Sequence, residues 1–407
     1  MPPALDADTR DMLGGVADRE SAMRDCLRRW SNHNSGSENL TGVCRQRELV
    51  AEAVANLADT VELVALPDRK VVKADGELES IPVAEALVVR KRPDRPHRVL
   101  LNGHLDTVFG IDSSFQTVRE VSADRWVGPG VADLKGGLVV LTEALRAFER
   151  HPMASRVGWT AVFNPDEELG SPSSTSLLHK LASEHQIGLV FEPALEDGRL
   201  AGARGGSGSF DLVIRGRSAH VGREFDQGRS AMHVAGEVVS LLADFNKADG
   251  VTVNVGRIDG GGPVNRVADL AIVRFNVRVA TEERREAMEN DLRRLAFVLG
   301  RRDGIEATMH GSFFSPPKPM TPETTRLFER VRTCGAHLDL EVHWRDTGGV
   351  CDGNKLQAAG LPTVDTMGVR GGGLHTDEEF VVLPSLVERT RLAALVLASF
   401  AGESPAP

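Results

Sequence analysis

The period of hydrophobic and polar positions changes along the chain, and each change predicts an element. Between residues 10 and 58 the pattern is helical, with Leu49, Val50, Ala53, Val54 and Leu57 forming one apolar stripe. "HRVLLNGHLDTV" predicts a strand running into a loop. Leu134, Leu138, Leu141, Leu145 and Phe148 then recur at helical spacing. Gly136 and Gly137 fall in the first turn of that helix, where small residues allow another element to come close. Val157 to Phe163 reads as a strand, and "IGLVFEPA" as a shorter one ending in Glu192. Strands alternating with helices imply an α/β domain with a mainly parallel central sheet.

After residue 208 the style changes. "SFDLVIRGRSAHVG" is a strand and loop, Ala231 to Phe245 a helix, "VTVNVGRI" and "ADLAIVRFNVRVA" strands, Glu282 to Leu299 a helix and "IEATMHG" a last strand. That β-α-β-β-α-β order is the split pattern of a ferredoxin-like α+β sandwich. The proline-rich "FFSPPKPMTPE" places a boundary near residue 317. From Thr321 the α/β style resumes: a helix through Phe328 and Val331, a strand over "LEVHW", a short helix after Asp352, a strand over "PTVDTMGV", and a closing helix from Ser385 to Phe400. The expected organisation is a larger domain in two parts, 1–208 and 318–407, with a smaller domain, 209–317, inserted.

Ligands of open α/β sheets gather beyond the carboxyl ends of the strands. His104, the pair Glu167 and Glu168, and Glu192 stand at such ends, Asp133 opens a helix in "GPGVADLKGG", and His375 follows a strand in "GGGLHTDEE". On a strand, His104 and Asp106 share a face. A carboxylate there can hold the ring's tautomer and aim its free nitrogen. Two histidines with three carboxylates suit a pair of divalent ions. With Asp133 bridging the two, each ion would take one histidine and one further carboxylate, leaving one glutamate spare. Adjacent glutamates on an extended segment point oppositely, so one can bind metal while the other takes the proton of a metal-activated water. Read singly, the same residues are a strand-end histidine, a solvated acidic turn and a helix cap.

In combination they are more specific. "GHLDTV", "GPGVADLKGGL", "NPDEELGS", "FEPA" and "LHTDEE", in this order and spacing, resemble the di-zinc aminoacylase-type metallopeptidases, which include acetylornithine deacetylase, succinyl-diaminopimelate desuccinylase and glutamate carboxypeptidase. "VFEPA" looks most like the last branch. The resemblance spans about residues 20 to 400 and implies the di-zinc exopeptidase-like fold with a lid and dimerisation domain. It implies His104, Asp133, Glu168, Glu192 and His375 as metal ligands, Asp133 bridging, Glu167 as general base, Asp106 orienting His104, and a cis bond after Asp133. In the insert it implies that His220 reaches a partner subunit's site to stabilise an oxyanion, that Asn265 contacts substrate, and that Arg278 binds the substrate carboxylate. Two departures stand out: Asn265 is followed by Arg-Val-Ala where relatives often read x-Ile/Val-Pro, and Cys351 stands where relatives tend to have a small hydroxyl or other residue. The activity implied is hydrolysis, by a di-zinc-bound hydroxide, of an amide bond beside a free carboxylate in a small peptide or N-acyl amino acid; cobalt or manganese would fit the same ligands. A ureido or carbamoyl amidohydrolase, and a non-catalytic metal- or ligand-binding member, are the alternatives.

Composition narrows the partners. The net charge of −10 argues against a nucleic-acid footprint. The amino-terminal stretch carries acidic residues and lacks a signal-peptide core, and no apolar run approaches a membrane span. Four cysteines without Cys-x-x-Cys spacing suggest free thiols in a reducing cytoplasm. Tyrosine is absent, so none can serve as a catalytic acid.

Overall fold

The computed structural model describes residues 5–402. Its centre is a six-stranded sheet in the order Thr60–Val64, Ala86–Lys91, Val157–Asn164, His97–His104, Ile187–Val190, Thr363–Val364. Only Ala86–Lys91 runs against the other strands, so the sheet is mixed but mainly parallel. Both faces are covered, and the alternation of side chains assigns them. Leu87, Val89, Val99, Leu101, Ala161 and Phe163 join one core with the helices Lys135–Phe148 and Ser385–Ala401. The intervening Val88, Leu100, Val162 and Val190 meet Leu178, Leu181 and Leu356 on the other side. Every residue of Val157–Asn164 is buried.

The helix Lys135–Phe148 is more deeply placed than a one-sided stripe implies: every residue except Arg146 is buried. The expected helical region 10–58 is interrupted. Helices occupy Ala7–Ala17, Glu20–Ser31 and Leu40–Val54, and the gap brings Gly36 alongside Thr107 in a parallel bridge. A Cβ on Gly36 would lie 2.3 Å from the Phe109 carbonyl oxygen, so this close approach needs glycine. The strand expected over "LEVHW" begins only at Trp344 and runs to Thr347. It pairs in parallel with Leu200–Arg204, outside the central sheet. A further four-stranded sheet joins Arg119–Ser122 and Arg125–Val127 to Phe380–Val382 and Gly371–Gly372.

The insert has the ferredoxin-like order: Val251–Gly260, Leu270–Val279, Gly206–Arg215, Glu306–Ser315, each pair antiparallel. Ala231–Asp244 and Glu282–Gly300 pack on it around a separate core that includes Leu212, Val238, Val273, Phe275 and Leu292. All four cysteines are free. No described helix is long and apolar enough to cross a membrane.

Candidate active site

Three adjacent parallel strands deliver the cluster. His104 ends its strand, the Glu167–Leu169 turn follows Asn164, and Glu192 lies two residues past Val190. Asp133 comes from the turn before the long buried helix, and its bond to Leu134 is cis. His375 lies in the loop between the short strands Gly371–Gly372 and Phe380–Val382. Its φ of 62° is a left-handed conformation that non-glycine residues adopt rarely and that functional loops tolerate.

The two carboxylate oxygens of Asp133 face different histidines. Oδ1 is 3.1 Å from His104 Nε2, and Oδ2 is 3.5 Å from His375 Nε2. Glu192 Oε1 lies 3.7 Å from the same nitrogen of His104, and Glu168 Oε2 lies 3.3 Å from that of His375. Ligand-capable atoms of His104, Asp133 and Glu168 fall within 4.8 Å of one another, as do those of His104, Glu167 and Glu192.

Asp106 holds this arrangement from behind. Its carboxylate lies 3.4 Å from His104 Nδ1, which is also 3.0 Å from its backbone oxygen. The carboxylate further accepts from the Ser37 hydroxyl at 2.8 Å and from the backbone N–H groups of Glu167 and Glu168, each at 3.2 Å. One side chain therefore sets both the imidazole and the acidic turn.

The electrostatics point one way. Burial pushes the Glu168 carboxyl up to about 7, Glu192 up to about 8, and Glu167 well above the usual range. Burial opposes charge on His104, but hydrogen bonds to Asp106 and Asp133 more than offset it and raise its pKa. His375 is raised to about 10 by hydrogen bonds to Asp133 and Glu168. Glu168 Oε1 and Glu192 Oε1 are buried with no hydrogen-bond partner. Carboxylates gathered around two imidazoles, with oxygens left over, are a donor set that fits divalent cations.

The cluster opens into a cavity of about 290 Å³ that Asp133, Glu192 and His375 line together with Val350, Cys351 and Leu374. Arg278 lies in a neighbouring cavity of about 420 Å³, and Arg204 and Thr347 border both. His220 and Asn265 adjoin each other in the insert, where the Val221 N–H donates to the Asn265 carbonyl at 3.2 Å. Both are exposed, and neither lines these two cavities.

Several buried groups around the site carry no motif. Glu379 Oε1 accepts from the backbone N–H groups of Ala132 and Asp133 at 2.9 and 3.0 Å and so fixes the turn that presents Asp133. Its signal was a second acidic pair, Glu378-Glu379, close behind His375. Asp352 accepts from Asn164 Nδ2 at 2.6 Å, from the Ser171 hydroxyl and from Lys355 Nζ at 2.9 Å. Arg204 and Lys318 share Asp365 at 2.8 and 3.3 Å. Apart from Asp352 and Lys355, three residues apart on one helix, these partners are too far apart in sequence for spacing to reveal them.

Residues 100–399 match Peptidase family M20/M25/M40. The chain is 23% identical over 399 residues to Carboxypeptidase G2 of Pseudomonas sp. (strain RS-16), covering 96% of this chain and 92% of that protein. It is 28% identical over 311 residues to N-acetyl-L-citrulline deacetylase of Xanthomonas campestris pv. campestris, covering 71% of this chain and 78% of the relative. A dinuclear metal-binding M20-family peptidase from Bacillus subtilis superposes with a TM-score of 0.65 at 15% identity, over 94% of this chain and 99% of that one. With the match running across both parts of the larger domain and through the insert, the chain belongs to Peptidase family M20/M25/M40 and is a hydrolytic enzyme rather than a ligand-binding scaffold.

Proposed function

We propose that the protein cleaves an amide bond beside a free carboxylate, as a carboxypeptidase or N-acyl-amino-acid amidohydrolase, using two divalent cations. The observation that carries this reading is the division of Asp133, one oxygen toward His104 and Glu192 and the other toward His375 and Glu168. His104, Asp133 and Glu192 would hold one cation, and Asp133, Glu168 and His375 the other; imidazole and carboxylate donors favour zinc and admit cobalt or manganese. Such cations supply Lewis acidity, lowering the pKa of water and polarising a carbonyl.

The chain's own residues do the rest. Glu167 takes the proton of the attacking water and passes it to the leaving nitrogen. Asp106 keeps Glu167 and His104 in register. Arg278 takes the substrate carboxylate with its guanidinium fork, Asn265 contacts the substrate, and His220, from a second copy in a homodimer, donates to the developing oxyanion. The names of the relatives, a carboxypeptidase and a deacetylase of an acylated amino acid, support this substrate class.

The test is to strip the protein with a chelator and assay it, before and after adding zinc or cobalt, on dipeptides, N-acyl amino acids, N-carbamoyl amino acids and their amidated counterparts. Activity lost and regained, with two ions bound per chain and a preference for free carboxylates, is expected. Full turnover by exhaustively metal-free protein would refute the reading. A preference for N-carbamoyl substrates would move it to the ureido class.

A further inference from the structure

The chain crosses between the larger domain and the insert twice, at Arg204–Gly206 and at Ser315–Lys318. The crossings pair with each other: the backbone N–H groups and carbonyls of Arg204 and Lys318 exchange two hydrogen bonds of 2.9 Å. A buried polar clasp surrounds the pair. Asn354, with no exposed surface, donates from Nδ2 to the Gly205 carbonyl at 3.0 Å and to the Pro316 carbonyl at 2.8 Å. Its Oδ1 accepts from the Cys351 N–H at 3.1 Å. Lys355 Nζ lies 3.4 Å from the Ser315 hydroxyl and 2.9 Å from Asp352. Asp365 takes the side chains of both Arg204 and Lys318. The first turn of the same short helix, Asp352–Ala358, also reaches the acidic turn. Asp352 binds Asn164, three residues before Glu167, and Ser171, just after the turn.

We propose that Asn354 is a positioning residue that sets the register between the insert and the Glu167 turn. One amide holds both crossings to the helix whose first residue anchors the turn. The chemistry allows few substitutes. A neutral amide satisfies two carbonyls and one N–H without adding charge to a site that already buries Asp352, Lys355 and Asp365. Gly353 lets the helix lie this close, since a Cβ there would be 2.6 Å from that of Asp365. The inference rests on the proposed function in one respect: the groups assigned to substrate in the insert, above all Arg278, must meet the cluster in the larger domain.

The test uses full-length Asn354→Ala and Asn354→Asp with metals loaded. Asp keeps the acceptor for Cys351 and loses both donors, so it separates the clasp from the helix cap. Hydrogen exchange is measured first. Both variants should exchange faster at the crossings, residues 204–206 and 315–318, and at the turn, residues 166–171. Faster exchange confined to residues 351–358, or no change, would overturn the proposal. Kinetics come second. With metal content unchanged, kcat/KM on a substrate with a free α-carboxylate should fall roughly ten- to a hundred-fold. Its amidated analogue, which does not use Arg278, should lose less than about three-fold. Equal losses on both substrates would overturn the register role and leave Asn354 as a stability residue. Altered exchange at both places with no carboxylate preference in the parent enzyme would instead keep the coupling and refute the substrate reading.

Discussion

Asp106 shows how much one buried carboxylate can hold. It meets Ser37, His104 and two successive backbone N–H groups, and each of its two oxygens accepts from one of those N–H groups. In Asp106→Asn the new NH2 must face a donor, leaving at least one buried group unpaired at a cost of about 1–3 kcal/mol. The acidic turn should loosen, with kcat reduced roughly ten- to a hundred-fold; denaturant unfolding and steady-state kinetics measure both effects. The glutamates of that turn should separate cleanly. Glu167→Gln is nearly isosteric and cannot accept a proton, so it should keep two ions and lose roughly 10²–10⁴ in kcat. Glu168→Gln should release one ion, as should His104→Ala and His375→Ala. Metal analysis of the four variants decides the assignment, and swapped glutamate phenotypes would reverse it. His104, Glu167 and Glu192 also form a ligand-capable group, which makes this comparison the informative one.

At the scale of elements, the helix Lys135–Phe148 is held by what it lacks. A Cβ on Gly137 would lie 2.0 Å from the Phe191 carbonyl oxygen, and one on Gly136 2.4 Å from that of Val131. Phe191 directly precedes Glu192, so the helix and the strand end that carries a proposed ligand are packed backbone against helix. Gly137→Ala must push them apart. Overpacking of this kind costs about 1–3 kcal/mol, and the displacement falls on Glu192. The variant should therefore unfold at lower denaturant and bind the ion of the His104 side more weakly, while the ion of the His375 side is retained. Normal affinity for both ions would show that the sheet yields elsewhere. The break between the helices Glu20–Ser31 and Leu40–Val54 belongs to the same scale. It exists because Gly36 must pass against Phe109 for Ser37 to reach Asp106.

For the whole molecule, the cluster makes stability depend on pH and metal together. In metal-free protein, burial raises Glu168 to about 7 and Glu192 and Glu379 to about 8, and His375 is raised to about 10 by its carboxylate partners. Groups whose folded pKa is raised bind more protons in the folded than in the unfolded state. Their contribution is complete below the unfolded pKa and is lost as pH rises through the folded one. In metal-free protein the contribution of these four groups should thus decline from about pH 4.5, the unfolded glutamate value, to about pH 10, the folded His375 value. Cations compete with those protons, so the stabilisation by zinc should grow over the same interval. Thermal unfolding of stripped and loaded protein across that range checks both signs. The proposed dimer has its own test. The insert's sheet ends in the edges Val251–Gly260 and Glu306–Ser315, either of which a second copy can extend into a two-fold pair. Glu167→Gln and His220→Ala proteins, each nearly inactive, should recover activity on subunit exchange. One site of a hybrid then holds an intact Glu167 and receives an intact His220. No recovery despite proven exchange would place His220 within its own chain's chemistry.

The alternating α/β elements, the ferredoxin-like order of the insert and the closing helix were legible in the sequence. Each is encoded by residues close along the chain, through periods of about 3.6 and 2 that local burial imposes. That His104, the Glu167-Glu168 pair and Glu192 would gather was legible for a related reason: a parallel sheet collects its strand ends at one edge, so residues that end strands become neighbours. The choice of Glu168 within the pair and the addition of Asp133 and His375 as ligands came instead from the motif resemblance. Only the tertiary structure decided the rest. "LEVHW" is apolar enough for a strand, yet pairing starts only at Trp344, which meets Leu200, the first residue of the distant partner strand Leu200–Arg204. Glu379 under Asp133, Asp352 under the acidic turn, and Asn354 across both crossings look in sequence like ordinary polar residues. Their roles come from carbonyls and N–H groups that the fold buries and that must be satisfied by whatever side chain is within reach. That requirement is fixed by which distant segments meet, and no local period records it.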